Sequence, residues 1–203
     1  MASIITATTT SGLTQSADNS GVLQLASGTG NLVTVPSGTG TAVVNGVNSS
    51  IVSGTAVAST SGTSIDFTSI PSWVKRITVM FKNVSTNGTS YKQIQLGAGS
   101  VTTSGYQSSS SLIYGTNSCV VANETVGFLI RSDVAAEQLS GTYVFTLIGS
   151  NGWVGSSVMH HQGDRVWQGA GRIDLGGTLD RVRITTINGT DTFDAGSINI
   201  LYE

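Results

Sequence analysis

Charge and aromatic rings are almost missing from the first third of this sequence. Through residue 65 there is one charged side chain, Asp18, and no ring occurs before Phe67. All nine Lys and Arg and ten of the eleven acids come later. A domain that stays dispersed alone needs a charged skin and large side chains for its core. The first third has neither, so its surface is expected to be covered by other chains. Cysteine is reduced to Cys119, which excludes an intrachain disulfide. No apolar run approaches the roughly 18 residues of a membrane-spanning helix, so no membrane insertion is expected. The opening Met1-Ala2-Ser3-Ile4-Ile5-Thr6 lacks the basic and apolar regions of a secretory leader, which predicts synthesis in a cytoplasm. The net charge of −2 gives no long-range attraction for nucleic acid.

What is present is strand chemistry. Gly21-Val22-Leu23-Gln24-Leu25, Asn31-Leu32-Val33-Thr34-Val35 and Thr41-Ala42-Val43-Val44 stand among Ser, Thr and Gly, and Ser27-Gly28-Thr29-Gly30 recurs at 37–40. Short strands between Gly-rich turns suit a ribbon or an intertwined stalk. Further on, Ile77, Val79 and Phe81 alternate with Arg76, Thr78, Met80 and Lys82, and large apolar residues recur at every second position in Val126, Phe128 and Ile130, then Tyr143, Phe145 and Leu147, then Ile198, Ile200 and Tyr202. Period-two alternation predicts antiparallel sheets with one buried face. Asn151-Gly152, between two such runs, predicts a hairpin turn. The best helical candidate, Asp133 to Leu139, is two turns at most. The composition change at Asp66-Phe67 divides the chain into an N-terminal anchor or stalk (1–65) and a β-sandwich head (66–203).

Particular residues resemble a recurrent module of bacteriophage tail fibre and virion attachment proteins. They are Ser53-Gly54-Thr55-Ala56-Val57-Ala58, Ser64-Ile65-Asp66-Phe67, Ile70-Pro71-Ser72-Trp73-Val74-Lys75-Arg76-Ile77-Thr78-Val79 and the closing Gly196-Ser197-Ile198-Asn199-Ile200-Leu201-Tyr202-Glu203. Ser20-Gly21-Val22-Leu23-Gln24-Leu25-Ala26 is also similar to stretches of phage fibres. The resemblance implies an all-β antiparallel sandwich of jelly-roll type, a homotrimer, no cofactor, and a non-enzymatic role at the virion surface, on tail or capsid. Host attachment, with receptor binding by the head, is the first expectation. Its alternative is a capsid decoration, cement or head-fibre protein whose first segment lies along other virion proteins. The resemblance supplies no set of binding residues.

Candidate sites come from the residues themselves. Trp153, Trp167, Tyr106 and Tyr114 fall in or beside Gly/Ser-rich stretches, with Gln107 and Gln168 next to them. Exposed rings suit sugar faces and amides suit sugar hydroxyls, so these six are candidate contacts to a host glycan or protein. The opposing reading is that the rings fill the core, the commoner fate of Trp. His160, His161 and Asp164 include metal-ligand types, but adjacent side chains on a strand point to opposite faces. No metal is therefore expected. A polysaccharide depolymerase would need two acids about 5 to 9 Å apart in a cleft. Asp164 with Asp174 and Asp191 with Asp194 are the only close-lying acids, and neither pair sits in a catalytic pattern. No catalytic residue is assigned.

Overall fold

The computed structural model describes the strand backbones 2–8, 12–18, 23–27, 30–35 and 43–44, and residues 51–203 apart from 116, 117 and 164. The chain divides into two units, Met1–Ser50 and Ile51–Glu203. The boundary expected after residue 65 thus moves back to residue 50. Pairing is the reason: Val52–Ser53, Val57–Ala58 and Ser64–Thr68 are strands of the second unit in spite of their uncharged composition.

In the first unit β1 (Ala2–Thr8), β2 (Gly12–Asp18), β3 (Leu23–Ser27), β4 (Gly30–Val35) and β5 (Val43–Val44) make one sheet, in the order β2-β1-β3-β4-β5. β1 and β2 pair antiparallel from Ala2↔Asp18 to Thr8↔Gly12, whereas β1 and β3 run parallel. Each of the three strand runs expected from the sequence contributes one of β3, β4 and β5.

The second unit begins with β6 (Val52–Ser53), β7 (Val57–Ala58), β8 (Ser64–Thr68), β9 (Arg76–Thr86), β10 (Lys92–Ala98) and β11 (Ser100–Val101). It continues with β12 (Gln107–Tyr114), β13 (Ser118–Glu124), β14 (Phe128–Ile130) and β15 (Leu139–Gly149). The last strands are β16 (Gly152–His161), β17 (Arg165–Asp174), β18 (Arg181–Thr186) and β19 (Phe193–Tyr202). The larger sheet runs β13-β12-β17-β16-β15-β9-β19-β6, with β7 also on β19. The smaller runs β11-β10-β18-β8, with β14 also on β10. All pairings in this unit are antiparallel. The fold is all-β and sandwich-like, as the alternation predicts. Asp133 to Leu139 forms bends and a turn leading into β15, not a helix.

Buried faces of both sheets share one core. Phe128 of β14 meets Tyr143 and Phe145 of β15 at ring-centroid distances of 5.7 and 4.8 Å, both near edge-to-face. Tyr106 packs on Phe128 at 5.3 Å. Gly155 on β16 makes this possible: a Cβ there would lie 2.6 Å from the Phe145 ring. The strand passes the aromatic cluster only without a side chain. Of the expected core, Ile77, Val79, Phe81, Phe128, Ile130, Phe145, Ile184, Ile198 and Ile200 are buried and Leu147 is half-buried. β14 departs from the alternation, since Leu129 is as buried as its neighbours. Its backbone N–H donates to Ser108 Oγ of β12, so this short strand is covered on both sides.

The β15–β16 hairpin turns one residue earlier than Asn-Gly predicts. Gly149 pairs with Gly152, and Ser150 and Asn151 take the two positive φ values, 45° and 64°. Asn accepts the left-handed region because its short amide can bond locally.

Candidate functional site

The structure overturns three of the six proposed contact residues. Trp153, Trp167 and Tyr106 are core side chains, with Trp167 fully buried. β16 and β17 alternate, so Trp153, Gly155, Ser157 and Met159 face inward, as do Trp167 and Ile173. The flanking Gly and Ser residues suggested loops; they are strand positions beside bulky rings. The Trp167 Nε1–H donates to the Arg131 carbonyl, which gives the buried indole its partner. Tyr106 Oη accepts from Leu96 N–H at 2.8 Å and donates toward the Thr102 carbonyl at 3.0 Å, tying down the segment between β10 and β12. Burial pushes its pKa upward.

The other three are exposed. Gln107 accepts from Arg172 Nε at 3.1 Å, and Tyr114 lies under the Arg165 guanidinium, 5.8 Å from the ring centre. Gln168 is central on the outward face of the larger sheet. Cross-strand register builds that face in rows. One reads Val121, Ser111, Gln168, Val158, Thr142, Met80, and the next Asn123, Ser109, Ala170, Ser156, Val144, Thr78. Neither row contains a charge. A groove of about 450 Å³ runs through them, lined by Ser109, Val121, Ser156, Val158, Gln168 and Ala170 among others.

His160 and His161 point to opposite faces, as strand geometry requires. His160 is exposed and His161 is buried. Asp164 lies outside the described residues, and among those described no cluster of His, Cys, Asp and Glu has the makings of a metal site. His161 instead joins a buried polar cluster. Its Nε2 lies 2.9 Å from Glu137 Oε2 and 3.4 Å from Ser132 Oγ, and its Nδ1 lies 3.1 Å from the Gln162 carbonyl. Burial pushes the ring's pKa down, partly offset by the Gln162 carbonyl and the Glu137 carboxylate. Arg165 clamps Glu137 at 3.0 and 3.2 Å. Lys92, fully buried, donates to Ser132 Oγ at 3.3 Å, and desolvation lowers its pKa to about 8. Ser132 and His161 are as enclosed as Lys92, so no substrate reaches them in this arrangement. The cluster fastens the 131–138 segment to the two sheets. No spacing in the sequence announces it, because its members come from β10, β16, β17 and a loop.

The acids weighed for glycoside cleavage are occupied locally. Asp191 accepts from Ser90 N–H at 2.9 Å and from Asn188 Nδ2 at 2.7 Å, and these bonds hold its pKa below the usual range. Asp194 accepts from Ser85 Oγ. Asp174 is exposed and pairs with Arg172 at 3.1 Å. These bonds order turns and sheet edges. Fold and geometry together define an all-β unit with two uncharged rows on the outward face of its larger sheet, bordered by the exposed Arg172 and Arg76. No family model, no curated protein and no solved structure matches the chain.

Proposed function

We propose that the chain is a non-enzymatic virion structural protein of short tail-fibre type. In this reading its second unit is a jelly-roll head that contacts the host surface. The first unit is the anchor or stalk, docked on other virion proteins. The observation that carries the reading is the pair of charge-free rows on the outward face of the larger sheet. Each outward sheet position covers about 33 Å², from strand spacing and residue repeat. Two rows across six strands make about 400 Å² of uncharged surface. The adjoining Cys119, Ile113, Val166 and His160 extend it toward the about 800 Å² that each partner brings to a standard interface.

Identical charged faces repel one another, whereas a Ser, Thr, Val and Gln face suits self-association about a symmetry axis. Three copies are favoured by the resemblance to phage fibres. The same logic extends to the first unit, whose sequence carries Asp18 as its one charge.

Antibodies against residues 51–203 test the reading on purified particles of the virus that encodes the chain. Label at the tail tip is the expected result. Label over the shell moves the protein to the decoration role, and a chain missing from particles refutes both.

A further inference from the structure

Among the described strands, β13 is the one long edge of the second unit without the usual protection. A sheet ends in a row of unpaired N–H and C=O groups, and proteins blunt such edges with short strands, charges, prolines or bulges. Here β6, β7 and β11 are two residues each, and β14 is three. β8 has five, and its Asp66 is held by Arg183. β13 has seven residues, with no proline and no Lys or Arg. Its register with β12 runs unbroken from Ser108↔Glu124 to Tyr114↔Ser118, so no bulge turns it aside. Among the described residues its backbone bonds to β12 alone. On the outward face Cys119, Val121 and Asn123 are exposed, Val121 at 60%.

Length, register and charge say what fits against it. The opposite end of the larger sheet is closed by the short β6 and β7, so β13 has no matching edge there. Its match is β13 of another copy. In an antiparallel pair, opposed residues share a face, and a slip of one residue sets outward side chains against inward ones. Centring the pair on a residue keeps the faces, and centring it on Val121 engages the whole strand. Val121 then meets itself, Cys119 meets Asn123, Val120 meets Ala122, and Ser118 meets Glu124. The two Glu124 carboxylates stand at opposite ends, about 20 Å apart at the strand repeat, so no like charges oppose the pair. The uncharged row from Val121 through Ser111 and Gln168 to Val158 continues into the same row of the second copy.

We propose that β13 of one copy pairs antiparallel with β13 of a second copy about a two-fold axis through Val121, joining their larger sheets into one. The contact goes beyond the reading above. A ring of three is built from head-to-tail contacts, whereas this one is isologous and joins two copies or two such rings.

Cysteine pairs in the full-length protein read this register. Opposed strand residues have Cα atoms about 4.5 to 5.5 Å apart, within disulfide reach. The two native Cys119 are offset by four residues, about 14 Å, and should not bridge. Asn123→Cys sets a thiol opposite Cys119 of the second copy, and Val121→Cys in a Cys119→Ser background sets one opposite itself. Both are expected to give disulfide-linked dimers on mild oxidation. Ile148→Cys in the same background is exposed but lies beside the β15–β16 turn, and it is not. Val121→Lys brings two cations together at the axis and should weaken association at least about tenfold, with circular dichroism and Tm unchanged. Amide exchange at 118–124 should slow as protein concentration rises. The proposal is overturned if thiols at 121 and 123 do not link, or if Ile148→Cys or native Cys119 links as readily. Exchange at 118–124 that ignores concentration also overturns it; slow throughout, it assigns the cover to the chain's own first unit. Linked dimers of a protein missing from virus particles would leave the pairing in place and sink the virion reading. A particle-borne chain whose β13 does not link would do the reverse.

Discussion

Replacing Lys92 by Met should stabilise the protein at neutral pH. Lys92 is fully buried on β10 and bonds to a single group, Ser132 Oγ. Desolvation outweighs the attraction of Asp194, Asp191 and Glu137 and brings its pKa from 10.5 to about 8. That difference corresponds to about 3 kcal/mol disfavouring the folded state while the amine is charged in both states. Below pH 8 this penalty is fully present. Between pH 8 and 10.5 the folded protein has released a proton that the unfolded chain still binds, so stability rises with pH. Methionine keeps the stem and removes the cation, at the loss of one hydrogen bond worth about 1 kcal/mol. The net expectation is about 2 kcal/mol of added stability, or roughly 4 to 8 °C in Tm for a chain of this size. Urea unfolding followed by tryptophan fluorescence, at neutral pH and again near pH 10, measures it. The gap between Lys92→Met and the parent should close as the pH rises. A variant less stable than the parent at neutral pH, or a gap unchanged by alkali, refutes the reasoning.

Gly155→Ala should lower stability by about 1 to 3 kcal/mol, because the new methyl meets the buried Phe145 ring; calorimetry reads this, and an unchanged Tm contradicts it. Glu137→Ala removes the partner of both His161 and Arg165 and should destabilise by about 3 kcal/mol. Hydrogen exchange should then quicken at the amides of 131–138 before the rest of the unit. Val158→Asp, on the outward face of the larger sheet, should change Tm by no more than a surface substitution does, about 0.5 kcal/mol in stability. Light scattering should nevertheless show it lowering the mass of the proposed self-assembly, and an unaltered mass would remove that face from assembly.

β9, β15 and β19 were legible in the sequence because each sets large apolar residues at alternate positions, as Ile77, Val79 and Phe81 show. The hairpin at 149–152 was legible to within one residue. Trp153 and Trp167 were misplaced for a specific reason. Binary patterning treats Gly and Ser as loop signals, whereas Gly155 and Gly171 are vacant so that Phe145 and Phe128 can occupy the space. The missing side chain and the ring that replaces it lie on different strands, so no local window contains both. The apolar, outward Val158 and Val166 blurred the alternation further. The boundary at 65 failed because composition reports solvation, and β6, β7 and β8 draw their order from pairing with β18 and β19. Gln93 and Gln95 are covered by Val126 and Gly127 from a distant stretch of chain, so no local window shows that they are buried.

β19 pairs with β9 and also with β6 and β7, so each of these contacts spans well over a hundred residues of chain. Thr78 finds Leu201 and Ile77 finds Tyr202. Loops of that length must close before the contacts reward them, which places the fold among slow folders. During synthesis β9 emerges long before β19 does, with Ile77, Val79 and Phe81 uncovered and one edge unpaired. For that interval the strand is a template for its own copies on neighbouring ribosomes. The yield of soluble protein should therefore depend on how long β9 waits, and cooler expression or a chaperone that shields a strand edge should raise it.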